Sequence, residues 1–381
     1  MSPDADSRRP HLSTRSTQPR GFGHGWISGV LSVALGALGL GAVLCFHFPA
    51  LLTMPELRGL YPVPYIRALL HAVLVASFLL GSLSVCWRYN KALGLSGITL
   101  TLLAALLGGS RVPVDDELRS GPFLGLDWFL LNLIGYSLVF VPLERAFARR
   151  PEQPIFRRGW RTDLAYFFVS ALLVQLTTLL TMKPAMVLFD WAKPRAVSSW
   201  VAGLPFVMQF LGILVLTDFT QYWVHRAFHR IPWLWRFHAV HHSAEEMDWL
   251  AGSRLHVVDA VATRAITYVP IYLLGFAEPP LFAYVVWVVA QATFIHANVS
   301  WTFRPLWRVL ATPAFHHWHH AAEPAAVDKN FAVHLPALDW LFDTYYMPER
   351  WPSAYGLAGG RSMPAGYLRQ LAYPFTGLRT E

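Results

Sequence analysis

The stretch Asp218-Phe-Thr-Gln-Tyr-Trp-Val-His225-Arg-Ala-Phe-His229 closes an apolar run that begins near residue 204, so one helix carries its oily length into a histidine pair. His225 and His229 share a helix face, one turn apart. Two more clusters follow, His238-Ala-Val-His241-His242 and His316-His317-Trp318-His319-His320, and twelve of the sixteen histidines fall between His225 and His334. His238 reaches His241 and His242 at i+3 and i+4, while those two neighbours diverge by about 100° on a helix, so each faces a different ion. His316, His319 and His320 repeat the arrangement. His317 lies off that face and reads as an outer or surface residue. Asp218, two turns before His225, reads as a carboxylate that orients a ligand histidine through its second N–H. Its place within an apolar run argues for a partner, because charge is costly there.

Eight histidines are twice the four that close a structural zinc site. The pattern His-Glu-x-x-His is absent, so no glutamate is placed as a zinc-protease base. The Glu-x-x-His pairs of soluble di-iron bundles are absent too. Both cysteines, Cys45 and Cys86, lie in apolar stretches and offer neither a disulfide framework nor a thiolate site. The ligand chemistry that remains is a nitrogen-rich dinuclear centre suited to binding and activating O₂.

Of the 381 residues 54% are hydrophobic and only 14% charged, against about 25% charged in soluble domains. Mean hydropathy is +0.37. The expected fold is therefore all-α, a polytopic membrane bundle with a cytoplasmic helical cap carrying the metal site. Six stretches are long enough to span, near 26–47, 67–87, 92–110, 125–143, 163–182 and 204–223. A seventh, 265–295, is broken by Gly275-Phe-Ala-Glu-Pro-Pro280 and reads as a hairpin that crosses twice or dips and returns. The net charge of +8 resides largely in arginines between these stretches, which favours topology and lipid headgroups over nucleic acid. Arg8, Arg9, Arg15 and Arg20, then Arg88 and Lys91, then Arg145, Arg149, Arg150, Arg157, Arg158 and Arg161 mark alternate loops. The loop 111–124 instead carries Asp115, Asp116 and Glu117. The N-terminus is then cytoplasmic and every histidine cluster faces that side. Residues 1–25 read as a disordered cytoplasmic tail, 26–115 as an accessory bundle of three membrane helices, 120–346 as the catalytic region and 347–381 as a C-terminal cytoplasmic extension. The aromatic residues Trp223, Phe228, Trp233, Trp235, Trp249 and Trp301 read as an interfacial belt, with a substrate mouth as the other reading.

The order His-x₃-His, His-x₂-His-His, His-x₂-His-His resembles the fatty acid hydroxylase / sterol desaturase superfamily of membrane di-iron oxygenases. Asp218 through Arg226 is similar to the entry into that family's first box, and Ser253-Arg-Leu-His256 to its Arg-x-His-Pro stretch, with Val257 in place of Pro. Gln291 through His296-Ala-Asn298 resembles its isolated histidine after the hairpin. Asn330-Phe-Ala-Val-His334-Leu-Pro and Leu338-Asp-Trp-Leu-Phe-Asp-Thr-Tyr345 resemble its closing segment, with Asp343 where Gly is commoner. The resemblance covers about 125–375 and leaves out the first three spans. It implies two iron ions held by His225, His229, His238, His241, His242, His316, His319 and His320 together with His296. Zinc is the ion expected to substitute on purification. His256 and His334 are further candidates as ligands, outer partners or substrate-side groups, and Asp248, Asn298 and Asn330 as outer acceptors. The implied reaction uses O₂ and two electrons to hydroxylate or desaturate an unactivated C–H bond of a lipid such as a sterol or fatty acyl chain. An ether-lipid monooxygenase with the same centre is the enzymatic alternative; a metal transporter or a structural metal protein is the non-enzymatic one. The sequence holds no nicotinamide, flavin, iron–sulfur or haem motif, so a separate reductase, ferredoxin or cytochrome is the expected electron donor. The expected location is a bacterial inner membrane.

Overall fold

The computed structural model describes residues 24–113, 122–360 and 362–376. The expected tail lies almost wholly outside them, as do Asp115, Asp116 and Glu117. The chain divides into two compact units, Met1–Gly121 and Pro122–Glu381. Among the described residues every regular element is helical, and β pairing is limited to the isolated bridges Ala148–Val299 and Ala321–Tyr355. Among the described residues six helices are long and apolar enough to cross a membrane, and a bent pair makes a seventh if it counts as one span.

The first unit packs α1 (Trp26–His47), α2 (Val63–Trp87) and α3 (Ala92–Leu106) against one another. Lipid tails are as oily as leucine, so such helices associate through close backbone approach and interhelical hydrogen bonds. Ser32 Oγ donates to the Ser77 carbonyl (2.7 Å), Ser77 Oγ to the Ser32 carbonyl (2.8 Å), and Ser77 shares a hydrogen with Thr101 (2.7 Å). Gly97 faces this knot, and any Cβ there would run into Ser32.

The second unit contains α4 (Leu126–Ala146), α5 (Trp160–Leu172), α6 (Val174–Phe189), α7 (Arg195–Ala202), α8 (Phe206–Arg230), α9 (Pro232–His238), α10 (Val257–Leu274), α11 (Glu278–His296) and α12 (Pro313–His319). Two expected spans come out differently. The run 163–182 is broken at Leu173 into α5 and α6, bent by 61°. The run 204–223 is helical and continues to Arg230, as the histidine pair requires, yet it is not among the helices apolar enough to cross. Its polar residues Gln209, Thr217, Asp218 and Tyr222 are buried within the unit, while Val207, Leu211, Val215, Phe219 and Trp223 form an exposed stripe at four-residue intervals. The helix thus has an oily outer face and a polar inner one. The 265–295 run resolves into two helices, each long and apolar enough to cross a membrane. His256 caps the first, its ring accepting from Val258 N, and Gly275 ends it at φ 67°.

Candidate metal centre

Nine histidines converge as two nests. His225, His229, His238, His242 and His319 bring one nitrogen each to within 4.8 Å of one another, and His241, His296, His316 and His320 do the same. The chain splits neighbouring residues between the nests: His241 from His242, and His319 from His320. On α12 this follows from helical geometry, since His316 and His320 stack a turn apart while His319 points about 100° away. Pro313 begins that helix and Thr312 Oγ1 accepts from Phe315 N, which fixes its start. After α9 a tight 3₁₀ turn, His241–Ser243, separates the adjacent pair. The nests abut, with the His242 and His320 rings stacked at 4.5 Å.

The fit to metal can be read from where the protons sit. His225 donates from Nδ1 to the Phe331 carbonyl (2.8 Å), His241 to Arg254 (3.0 Å), His296 to Ala292 (2.6 Å) and His319 to Lys329 (2.9 Å). His238 donates from Nδ1 to the Asp259 carboxylate (2.7 Å). These oxygens only accept, so each Nδ1 carries a proton and, on a neutral ring, Nε2 keeps a lone pair. Yet the Nε2 atoms of His225 and His238 lie 3.0 Å apart, and those of His238 and His242 3.2 Å. In the other nest His316 Nε2 is 3.0 Å from both His296 Nε2 and His320 Nε2. Nitrogens this close need a proton or a metal ion between them. Two nitrogens each about 2.1 Å from one ion and at right angles are about 3.0 Å apart. His229 Nε2 and His319 Nε2 are buried with no hydrogen-bond partner, as ligand atoms would be without their ion. Burial, and then neighbouring imidazoles, hold His242, His316, His319 and His320 well below the ordinary histidine pKa, and His241 at about 4. Neutral imidazole is the form a metal needs.

The remaining candidates stand outside the nests. His256 has both nitrogens engaged by backbone: Nδ1 accepts from Val258 N and Nε2 donates to the Leu371 carbonyl (3.1 Å each). His334 Nε2 meets Tyr284 Oη at 3.2 Å. His317 is buried rather than at the surface, bonded through Nδ1 to Tyr355 Oη (2.9 Å) and through Nε2 to the His296 carbonyl (3.3 Å). Asp218 accepts from the backbone N–H groups of Val333, His334 and Leu335 (2.9, 3.1 and 2.6 Å), not from a histidine ring. Together with Asp339, which accepts from Phe331 N and Ala332 N, it anchors the segment whose Phe331 carbonyl holds His225. Asp248 pairs with buried Arg157 (2.6 Å), which also binds Asp163 (2.6 Å). Arg254 completes the network by binding Asp163 through Nε (2.5 Å) and Ser243 Oγ through Nη1 (3.1 Å). Asn298 brackets the Arg150 backbone, its Oδ1 accepting from Arg150 N (2.9 Å) and its Nδ2 donating to the Arg150 carbonyl (3.2 Å). Asn330, at φ 61°, ties Phe315 of α12 to Tyr346. Sequence reasoning missed Asp259 and Asp328, the carboxylates that do stand behind nest histidines. Among the belt aromatics Trp233 and Trp223 are exposed and Phe228 and Trp249 buried, while Trp235 packs 5.0 Å from His229 and 5.4 Å from His242.

These nests, set at the ends of apolar helices, define a membrane protein with a histidine-rich metal site. Residues 210–344 match the fatty acid hydroxylase family model. The ornithine lipid hydroxylase OlsE of Rhizobium tropici is 35% identical over 181 residues, 46% of this chain and 53% of that protein. An alkylglycerol monooxygenase of Danio rerio is 33% identical over 159 residues, 42% of this chain and 34% of that one. A putative Delta(7)-sterol-C5(6)-desaturase 2 of Arabidopsis thaliana is 28% identical over 144 residues, covering 35% and 47%. The match spans about half the length, or less, of each of these relatives. The superfamily resemblance carried by the boxes therefore holds. No solved structure matches the chain.

Proposed function

We propose that this chain is a membrane di-iron oxygenase that hydroxylates or desaturates an unactivated C–H bond of a lipid, with O₂ and two electrons as co-reactants. The observation that carries this reading is the pair of abutting nests in which nine imidazoles converge, with Nε2 atoms 3.0 Å apart in each and the Nε2 atoms of His229 and His319 buried without a hydrogen-bond partner. His225, His229, His238, His242 and His319 would hold one iron, and His241, His296, His316 and His320 the other. Bound iron would supply the oxidant derived from O₂. The protein's share is positional: backbone carbonyls and Asp259 hold the Nδ1 protons, so the rings cannot rotate away from the ions. The burial of every nest ring but His229 limits bulk water, which protects a reactive centre from side reactions. An apolar substrate would come from the bilayer, and a separate protein would deliver the electrons.

The cytoplasmic side is the proposed side for this chemistry. The arginine-rich segment 145–161 packs against the nest surroundings through Arg150–Asn298, Arg157–Asp248 and Arg158 N–Glu246. The positive-inside rule then assigns both to one face, in a bacterial inner membrane on this reading. Cleavage of an ether lipid after hydroxylation of its alkyl chain is the second reading, favoured by the alkylglycerol monooxygenases among the relatives. Incubating the iron-loaded protein with a reductant, ¹⁸O₂ and a membrane lipid extract tests both by mass spectrometry. A lipid heavier by one ¹⁸O supports hydroxylation, loss of two hydrogens supports desaturation, and a labelled fatty aldehyde supports ether cleavage. Iron-loaded, reduced protein that alters no lipid contradicts the enzyme reading.

A further inference from the structure

The two nests differ in what stands behind their rings. In the five-histidine nest His238 Nδ1 donates to Asp259 at 2.7 Å, with both side chains buried. Thr263 Oγ1, one turn along α10, donates to the other oxygen of that carboxylate (3.1 Å) and fixes it. His229 Nδ1 lies 3.4 Å from Asp328, whose second oxygen is taken by Arg230 (3.2 Å) and which is a quarter exposed. Asp259 is therefore the better placed of the two. In the four-histidine nest the partners are neutral. His241 and His296 donate to carbonyls, and Nδ1 of His316 and of His320 has no partner among the described residues.

A carboxylate behind an imidazole raises the basicity of the opposite nitrogen and attracts the ion directly across a poorly screening interior. A carbonyl orients the ring but brings no charge. Ligand number and charge thus favour the same nest. We propose that the nests bind metal with unequal strength, the five-histidine nest filling first, and that Asp259 is the positioning residue that sets the difference. Asp259 acts through His238. The inference rests on reading both nests as metal sites.

The test is a titration of the metal-free full-length protein in detergent with Co²⁺, following its visible absorption bands and the bound metal per chain. Two separable steps are expected. Asp259→Asn keeps an acceptor oxygen for His238 but removes the charge; it should weaken the first step about tenfold or more, shift that step's bands and leave the second in place. Asp259→Glu should recover part of the loss. If the Asn variant fails to fold, His238→Ala and His316→Ala still decide the order, since the first should remove the strong step and the second the weak one. Two ions taken up in one step of equal affinity, an unchanged first step in Asp259→Asn, or loss of the strong step in His316→Ala would overturn the inference. No Co²⁺ uptake by the unaltered protein would overturn the metal reading along with it.

Discussion

His256 shows how neighbouring histidines can have unrelated work. Both its nitrogens are committed to backbone, one of them at the start of α10. His256→Ala should cost about 1 kcal/mol, the usual loss of a helix cap, and leave bound metal unchanged. Thermal unfolding with a metal count on the same sample checks this, and loss of metal would make it a ligand. Arg157 gives a larger expected effect. It is buried between Asp163 and Asp248, and Arg157→Met would leave two carboxylates without their cation, a loss of about 3–5 kcal/mol. Denaturant unfolding reads it, and a change below 1 kcal/mol would show that the network is not coupled to folding. Eight of the nine nest histidines were legible in the sequence because i+3 and i+4 spacing is a local property, while His296, which stands alone, was implied only by the family resemblance. Asp259 was not legible, since its partner His238 lies 21 residues away and nothing local marks the pairing. Asp218 misled for the converse reason. Its register on α8 pointed toward His225, but three backbone N–H groups of 333–335, brought in from more than a hundred residues away, took its oxygens.

At the scale of elements, the nests impose a pH dependence on the helices that carry them. Burial holds His241 and His317 at about 4, and His316, His319 and His320 well below the ordinary 6.5. In the unfolded chain these rings return to about 6.5 and take up protons that the folded chain refuses. Stability of the metal-free protein is thus complete above pH 6.5 and is lost as pH falls from there toward 4. Its unfolding midpoint in detergent should be lower at about pH 5 than at about pH 7.5; an equal or higher midpoint would show that the rings are not held neutral. In the first unit the decisive feature is close approach. Gly97→Leu should destabilise by about 1–3 kcal/mol through overpacking, while Gly59→Leu, where a Cβ meets nothing within 4 Å, should be near neutral in the same assay. Hydropathy revealed the helices of this unit but not their packing, because which small residues face a partner is a tertiary fact. The break at Leu173 was likewise hidden, since the sequence stays apolar across the bend.

For the whole molecule, topology follows from arginines. Arg158 is exposed, its side chain 84% accessible, on the segment that packs beside the nests. In a variant retaining no other cysteine, Arg158→Cys should react with an impermeant thiol reagent only in inverted inner-membrane vesicles. Labelling in intact spheroplasts would place the nests on the opposite face. The membrane class and the histidine site were readable from hydropathy and spacing, while the division of the hairpin into two full-length helices and the sorting of nine rings into five and four needed the folded chain. The central claim is that these nests hold two metal ions. It is tested most directly by purifying the protein anaerobically and counting metal per chain, beside His238→Ala and His319→Ala. Two ions per chain, falling in both variants, is the predicted result. Fewer than one ion per chain, unchanged by either substitution, would contradict it.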